Sequence, residues 1–277
     1  MTLLKVGYVP EHFSTPLFFA KEQGFYKDHG VDVEFVPFPS GTGHMVQSLK
    51  DQSINVAIGL TEGFVAGIGK GSDCTGANRS DVNTVNDIKS KRIGISRIGS
   101  GSYVMSFVLA QQKEWPADFQ FEIQDNFKNL RDGVNNVGDV KPTDAFMWEI
   151  FTTKKYYDNG ELKQIGHIYT PWPSWVITAS ADVTSTDEGT TALRGFFSAV
   201  NEGIQYFNSH QDEAVTHIST HLDYTADDAR AWLDTVKFVN DVSTIDQETV
   251  INKTIKTLQA AEVLTQGSEG LVYTFKP

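Results

Sequence analysis

Residues 31–60 read VDVEFVPFPSGTGHMVQSLKDQSINVAIGL. The opening VDVEFVP alternates apolar and polar side chains, the period of a half-buried strand. PSGTG then supplies two glycines and two hydroxyls, a turn composition. Met45, Val46 and Leu49 fall on one helical face beyond it. INVAIGL, residues 54–60, is a short continuous apolar run, as in the buried middle of a sheet. Strand, turn, helix and buried strand in this order predict a parallel α/β unit.

The same grammar extends both ways. Residues 3–9 read as a strand. Ser14 or Thr15 caps a helix with Pro16 at its first position, and Gly24 ends it. After TEG, residues 61–63, the run GFVAGIGKG reads as a helix. A second series follows: strand 91–96, helix 102–113 opened by RIGSGS, strand 119–124, helix 127–137, strand 144–148 and helix 149–158. Residues 164–180 are predicted extended, with two prolines in a turn. The tail carries a helix over 187–207 with Leu193, Phe196, Phe197, Val200, Ile204 and Phe207 on one stripe. Further helices are predicted near 211–222, 225–234 and 246–261. The expectation is an α/β protein of two lobes with a cleft between them. Lobe one would be residues 1–78 plus 183–277 and lobe two residues 79–182, each a mostly parallel sheet flanked by helices.

Composition narrows the function. The 277 residues carry 23 Lys+Arg against 35 Asp+Glu, a formal charge of −12. There is no basic run, so nucleic acid is not an expected partner. Cys74 is the single cysteine, which rules out an intramolecular disulfide and a cysteine-rich metal site. No apolar run reaches membrane-span length. MTLLKVGYVP enters a strand directly, without the regions of a signal peptide, and predicts a cytoplasmic protein. Oligomeric state is left open.

Two turns suit an anion. Ser40, Gly41, Thr42 and Gly43 precede a helix at the C-terminal end of a strand, where open α/β sheets bind ligands. The helix start offers unpaired N–H donors and the positive end of the dipole. An ordinary capped turn is the plainer reading. Ser100, Gly101, Ser102 and Tyr103 repeat the arrangement in the second series, and the two turns together could clamp one anionic ligand. Neither is a nucleotide fingerprint: there is no G-x-x-x-x-G-K-[ST], and Gly99-Ser100-Gly101 lacks the third glycine.

Aromatic and acidic residues suggest a flat ligand. His12 and Phe13 follow the first strand, where a ring could stack on Phe13 and hydrogen-bond His12. Trp148 and Glu149 end a strand, and Trp172 lies in the segment PWPSW. Aromatic walls beside a carboxylate fit a planar heterocycle better than a bare inorganic anion. The plainer reading of the tryptophans is core, and it is preferred for Trp175. His217 and His221 have chelating i, i+4 spacing, but no third ligand is evident, and a solvated helix face is the simpler reading.

The stretch GYVPEHFSTPLFFAKEQGFYKDHGVDVEFVPFPSGTGHMVQSLKDQSINVAIGLTEG resembles the N-terminal lobe of type II periplasmic binding proteins. The branch is the nitrate/sulfonate/taurine-binding and thiamine-pyrimidine-precursor-binding group. The similarity continues through DIKSKRIGISRIGSGSYVM and DAFMWE into the helical tail. It implies a two-lobed binder of a small ligand, and it places Thr61, Glu62 and Gly63 at the border of the cleft. Glu62 could there accept hydrogen bonds from an amine or amidine; as an acid at a helix start it is also favourable on its own. One departure stands out. GKGSDCTGANRSDVNT passes almost directly to the second lobe, so a strand seems to be missing between Gly71 and Gly76 and the crossover is expected to be a loop.

The resembling fold also includes fungal thiamine-pyrimidine synthases, which carry a cysteine cluster for iron and a lysine and histidine used with pyridoxal phosphate. This chain has one cysteine and no lysine between Gly7 and Ala20. The expected function is therefore small-molecule binding without a cofactor, for a heteroaromatic, thiamine-pyrimidine-like or anionic ligand. The alternatives are an enzyme of thiamine-precursor metabolism and the solute-binding component of an ABC importer.

Overall fold

The computed structural model describes residues 1–39, 41–65, 72–77, 81–265 and 274. Among them are nine strands: β1 (Thr2–Tyr8), β2 (Val31–Pro37), β3 (Val56–Leu60), β4 (Ser72–Ala77), β5 (Arg92–Ile95), β6 (Gln120–Ile123), β7 (Ala145–Trp148), β8 (Leu162–Ile168) and β9 (Trp175–Ala179). The chain forms two compact units. One contains residues 1–59 and 175–246, the other residues 60–174 and, of the described residues, 247–265.

The first unit is built on a sheet of order β2-β1-β3-β9. β1 runs parallel to both β2 and β3, which sets Val6 opposite Phe35 on one side and Val56 on the other. All five residues of β3 are buried, which is why this strand is apolar without alternation. The tail helix spans Asp187–Ser209, and Thr186 caps it by accepting from the Gly189 amide at 3.1 Å. Asp187 and Glu188 add negative charge to its first turn. Its apolar stripe is buried at Leu193, Phe196, Val200, Ile204 and Phe207. Phe196 stacks on Tyr26 with ring centroids 5.6 Å apart.

The second unit is a five-stranded sheet of order β6-β5-β7-β4-β8. β5 is parallel to β6 and β7, whereas β4 is antiparallel to β7 and β8. The expected crossover loop is thus corrected: Ser72–Ala77 is strand β4, lying inside the sheet. Its pairing sets Cys74 opposite Met147 on one side and Gly166 on the other. Cys74, Thr75 and Gly76 are buried. Ladder partners on both edges satisfy the backbone, so a strand forms with no apolar period of its own. The extended segment 164–180 resolves into the end of β8, a turn, and β9. The helix expected after TEG is described over Thr61–Val65, and the rest of the expected span lies outside the described residues. Among the described residues, no helix is long and apolar enough to cross a membrane.

Candidate functional site

The second unit opens, directly after β3, with the short helix Thr61–Val65, and the proline-flanked turn before β9 packs on its start. Two hydrogen bonds join them. The Thr61 amide donates to the Ser174 carbonyl at 3.0 Å, and the Thr61 hydroxyl donates to the Pro173 carbonyl. The turn is held internally as well, since the Thr170 hydroxyl donates to the Trp172 carbonyl at 2.8 Å. Pro171 and Pro173 restrict the backbone on either side of Trp172. The indole is thereby presented to Glu62, and its Nε1–H donates to Glu62 Oε2 at 2.8 Å.

Glu62 is fully buried, at 0% exposure. Its second oxygen, Oε1, is also buried and has no hydrogen-bond partner among the described residues. Burial pushes the carboxyl up to about 8, although its own backbone amide and the Trp172 indole pull the other way. At neutral pH Glu62 is therefore largely a neutral acid. Oε2 accepts from the indole, which leaves Oε1 as the position for the proton. A neutral carboxyl with one unengaged oxygen can donate to a ring nitrogen. It can also accept from an amino group, and after losing its proton it can pair with a cation.

The other expected site residues of this unit have internal partners. Ser100 caps the helix Gly101–Lys113 and accepts from the Tyr103 amide at 3.4 Å. The Ser102 hydroxyl donates to the Gly94 carbonyl at 2.7 Å and accepts from the Met147 amide at 2.9 Å, tying β5 to β7. Tyr103 donates from its phenol to the Ala261 carbonyl at 2.9 Å. Trp148 is half-buried and stacks on Phe127 at 5.0 Å, beside the core formed by Leu130, Val134, Phe146 and Leu162. Glu149 caps the helix Ile150–Asp158, accepting from the Thr152 amide at 2.8 Å. Gly63 is buried next to Glu62. Arg97, which the sequence reading passed over, is exposed in the turn before Ser100 and makes no ion pair among the described residues. Its signal was a lone cation at the start of a Gly-Ser turn.

In the first unit, Gly41 precedes the helix Thr42–Lys50 with φ of 82°, a conformation that favours glycine. Among the described residues no side chain caps this helix; Thr42 is buried and Gly43 partly exposed. Ser40 lies outside the described residues. His12 is wholly buried between the rings of Trp232, at 4.2 Å, and Tyr224, at 4.8 Å. Phe13 is buried and stacks on Trp175 at 4.4 Å. The chain's own rings therefore take both faces of His12 and one face of Phe13.

The sequence matches two family models: an NMT1-like family over residues 1–96, and a Ca3427-like periplasmic-binding-protein model over residues 72–168. Among solved structures, the Candida albicans CA3427 gene product is 46% identical, with 96% of this chain and 92% of that chain covered and a TM-score of 0.87. It is described as defining a family with the generic periplasmic binding protein fold. This chain belongs to the CA3427 family. The resemblance to periplasmic binding proteins seen in the sequence is thereby borne out, as is the α/β fold.

More distant structures share the fold of the CA3427 family. The alkanesulfonate-binding protein SsuA from Xanthomonas axonopodis pv. citri, bound to MOPS, is 13% identical, covers 95% of this chain and 94% of its own, and has a TM-score of 0.73. The nitrate-binding protein NrtA from Synechocystis PCC 6803 is 15% identical over 98% and 85% of the two chains, with a TM-score of 0.69. Among curated proteins, none matches. The fold is the generic periplasmic binding protein fold that solute-binding proteins such as SsuA and NrtA also have.

Proposed function

We propose that this chain binds a small heteroaromatic molecule with an amidine-like edge, a ring nitrogen beside an amino group, as in the pyrimidine of thiamine precursors. The observation that carries the reading is the buried Glu62 carboxyl, held on one oxygen by Trp172 and unengaged on the other. A neutral acid matches that edge with a donor and an acceptor together. Once its proton passes to the ring nitrogen, the same pair becomes a carboxylate on a cationic heterocycle, with no net change in charge. A bare inorganic anion uses less of Glu62: it can accept the carboxyl proton but has no N–H to donate back, and it raises the cost of ionising the acid. A phosphate on the ligand would instead find Arg97 and the capped helix start at Ser100.

Thermal unfolding against a ligand panel tests this reading. The panel holds aminopyrimidine thiamine precursors with and without phosphate, taurine and other sulfonates, and nitrate. A ligand that binds only the folded state, at a hundred times its dissociation constant, adds about 2.7 kcal/mol. The expected result is a shift with an aminopyrimidine that is lost in Glu62→Ala and reduced in Trp172→Phe. Loss of preference for the phosphorylated form in Arg97→Gln would assign the phosphate. Shifts with sulfonates or nitrate alone, unchanged in Glu62→Ala, would overturn the reading.

A further inference from the structure

His217 and His221 lie one turn apart on the helix Gln211–His221 in the first unit. Their rings stack at 4.5 Å, tilted by 21°. On a helix, side chains four apart project from the same face. The hydrogen bonds set which nitrogen of His221 carries its proton. Nδ1 lies 3.1 Å from the His217 carbonyl oxygen, which can only accept. It also lies 3.0 Å from the Thr220 hydroxyl, whose hydrogen is directed to the Thr216 carbonyl at 2.7 Å. In the neutral ring, Nδ1 therefore holds the proton and Nε2 keeps its lone pair. Imidazole ligands of metals are commonly oriented by a donated N–H of this kind. His221 is exposed, so its Nε2 is open to solvent.

His217 is set on the inner side of the same face. The rings of Phe18 and Phe19 lie 5.7 Å and 5.5 Å from it and limit its rotation. Its Nδ1 is 3.9 Å from Glu22 Oε1, beyond hydrogen-bond length but near enough for charge to act. Neither ring nitrogen of His217 has a hydrogen bond among the described residues. Glu22 and Glu213 bring negative charge to this face. His210, a turn earlier, stacks instead on Tyr206 at 3.9 Å.

We infer that His217 and His221 form a two-imidazole site for a divalent transition ion of the Ni²⁺, Cu²⁺ or Zn²⁺ type, the ions that nitrogen ligands favour. Stacked as they stand, the in-plane lone pairs do not converge on one ion, so binding requires the exposed His221 ring to turn toward His217, which Phe18 and Phe19 hold in place. Among the described residues there is no group of three or more such side chains, so those residues supply two ligands to the site. Its remaining positions are open to water or to a ligand from outside the chain. This site shares no residue with the proposed ligand-binding site, and it stands whether or not that reading holds.

The test is calorimetric titration of the whole chain with Ni²⁺, in the wild type and in His217→Asn, His221→Asn and His210→Asn. The expected result is one tightest site per chain, weakened at least tenfold in His221→Asn and in His217→Asn and unchanged in His210→Asn. His221 is exposed, so its variant should fold even if that of His217 does not. With one equivalent of Cu²⁺, the electron paramagnetic resonance spectrum should show two nitrogen ligands, and only one in His221→Asn. Wild-type affinity in His221→Asn, or loss of the site in His210→Asn, would overturn the inference.

Discussion

The Trp172 indole donates to Glu62 across 110 positions of sequence, and the carboxyl it holds is fully buried. That acid should make stability depend on pH. Glu62 titrates near 8 in the folded chain and near 4.5 when exposed. Between these values the unfolded chain has lost the proton and the folded chain still holds it. Stability therefore falls as pH rises through this window and levels off above about 8. In Glu62→Gln the contribution is absent, so the variant should gain on the wild type by a few kcal/mol between pH 5 and pH 8. Denaturant unfolding at several pH values measures this. An equal pH slope in both proteins would show that Glu62 is ionised when folded.

Removing the donor tests the other half of the pair. Trp172→Phe keeps an aromatic ring and deletes the N–H, leaving both carboxyl oxygens without that partner. The indole bond holds the Glu62 titration down, so its loss should raise it further. Stability at neutral pH should fall by about 1–3 kcal/mol, the cost of an unsatisfied buried polar group. In Glu62→Gln the same substitution should cost a different amount. A double-mutant cycle whose two arms agreed would mean the bond contributes nothing.

The first unit's sheet was legible because burial writes itself into the sequence. β3 is buried along its whole length and is apolar along its whole length. β4 was not legible. Of its residues with described burial, 74–76, only Cys74 is an apolar side chain of any size, and Thr75 and Gly76 are held in place by neighbouring strands rather than by hydrophobic pattern. The site shows the same division. Glu62 and Trp172 each stood out alone, as an acid at a strand end and an indole between prolines. Their bond depends on a turn folding back from far along the chain, which no local spacing encodes. His12 looked available for a ligand because Tyr224 and Trp232, which cover it, come from the opposite end of the sequence.

Ser102 should behave as a structural residue. Its hydroxyl is buried and bridges the Gly94 carbonyl and the Met147 amide. Ser102→Ala deletes both bonds and leaves a buried N–H without this partner, a loss of about 1–3 kcal/mol. Faster hydrogen exchange at the Met147 amide would locate the effect. Unchanged exchange would mean that water or a shifted strand replaces the hydroxyl.

Gly203 of the tail helix packs closely against the helix Thr15–Glu22. A Cβ there would lie 2.3 Å from the Pro16 carbonyl oxygen and 2.9 Å from the Ala20 Cβ. Alanine is the better helix former by about 1 kcal/mol, so propensity alone predicts that Gly203→Ala stabilises. The contact predicts the opposite, because the first obstacle is backbone and cannot rotate away. Overpacking of this kind costs about 1–3 kcal/mol, and the two helices would have to separate to relieve it. The expected outcome is net destabilisation, with Arg194→Ala on the exposed face of the same helix nearly neutral. A higher melting temperature for Gly203→Ala would mean that helix propensity outweighs the close packing at this crossing.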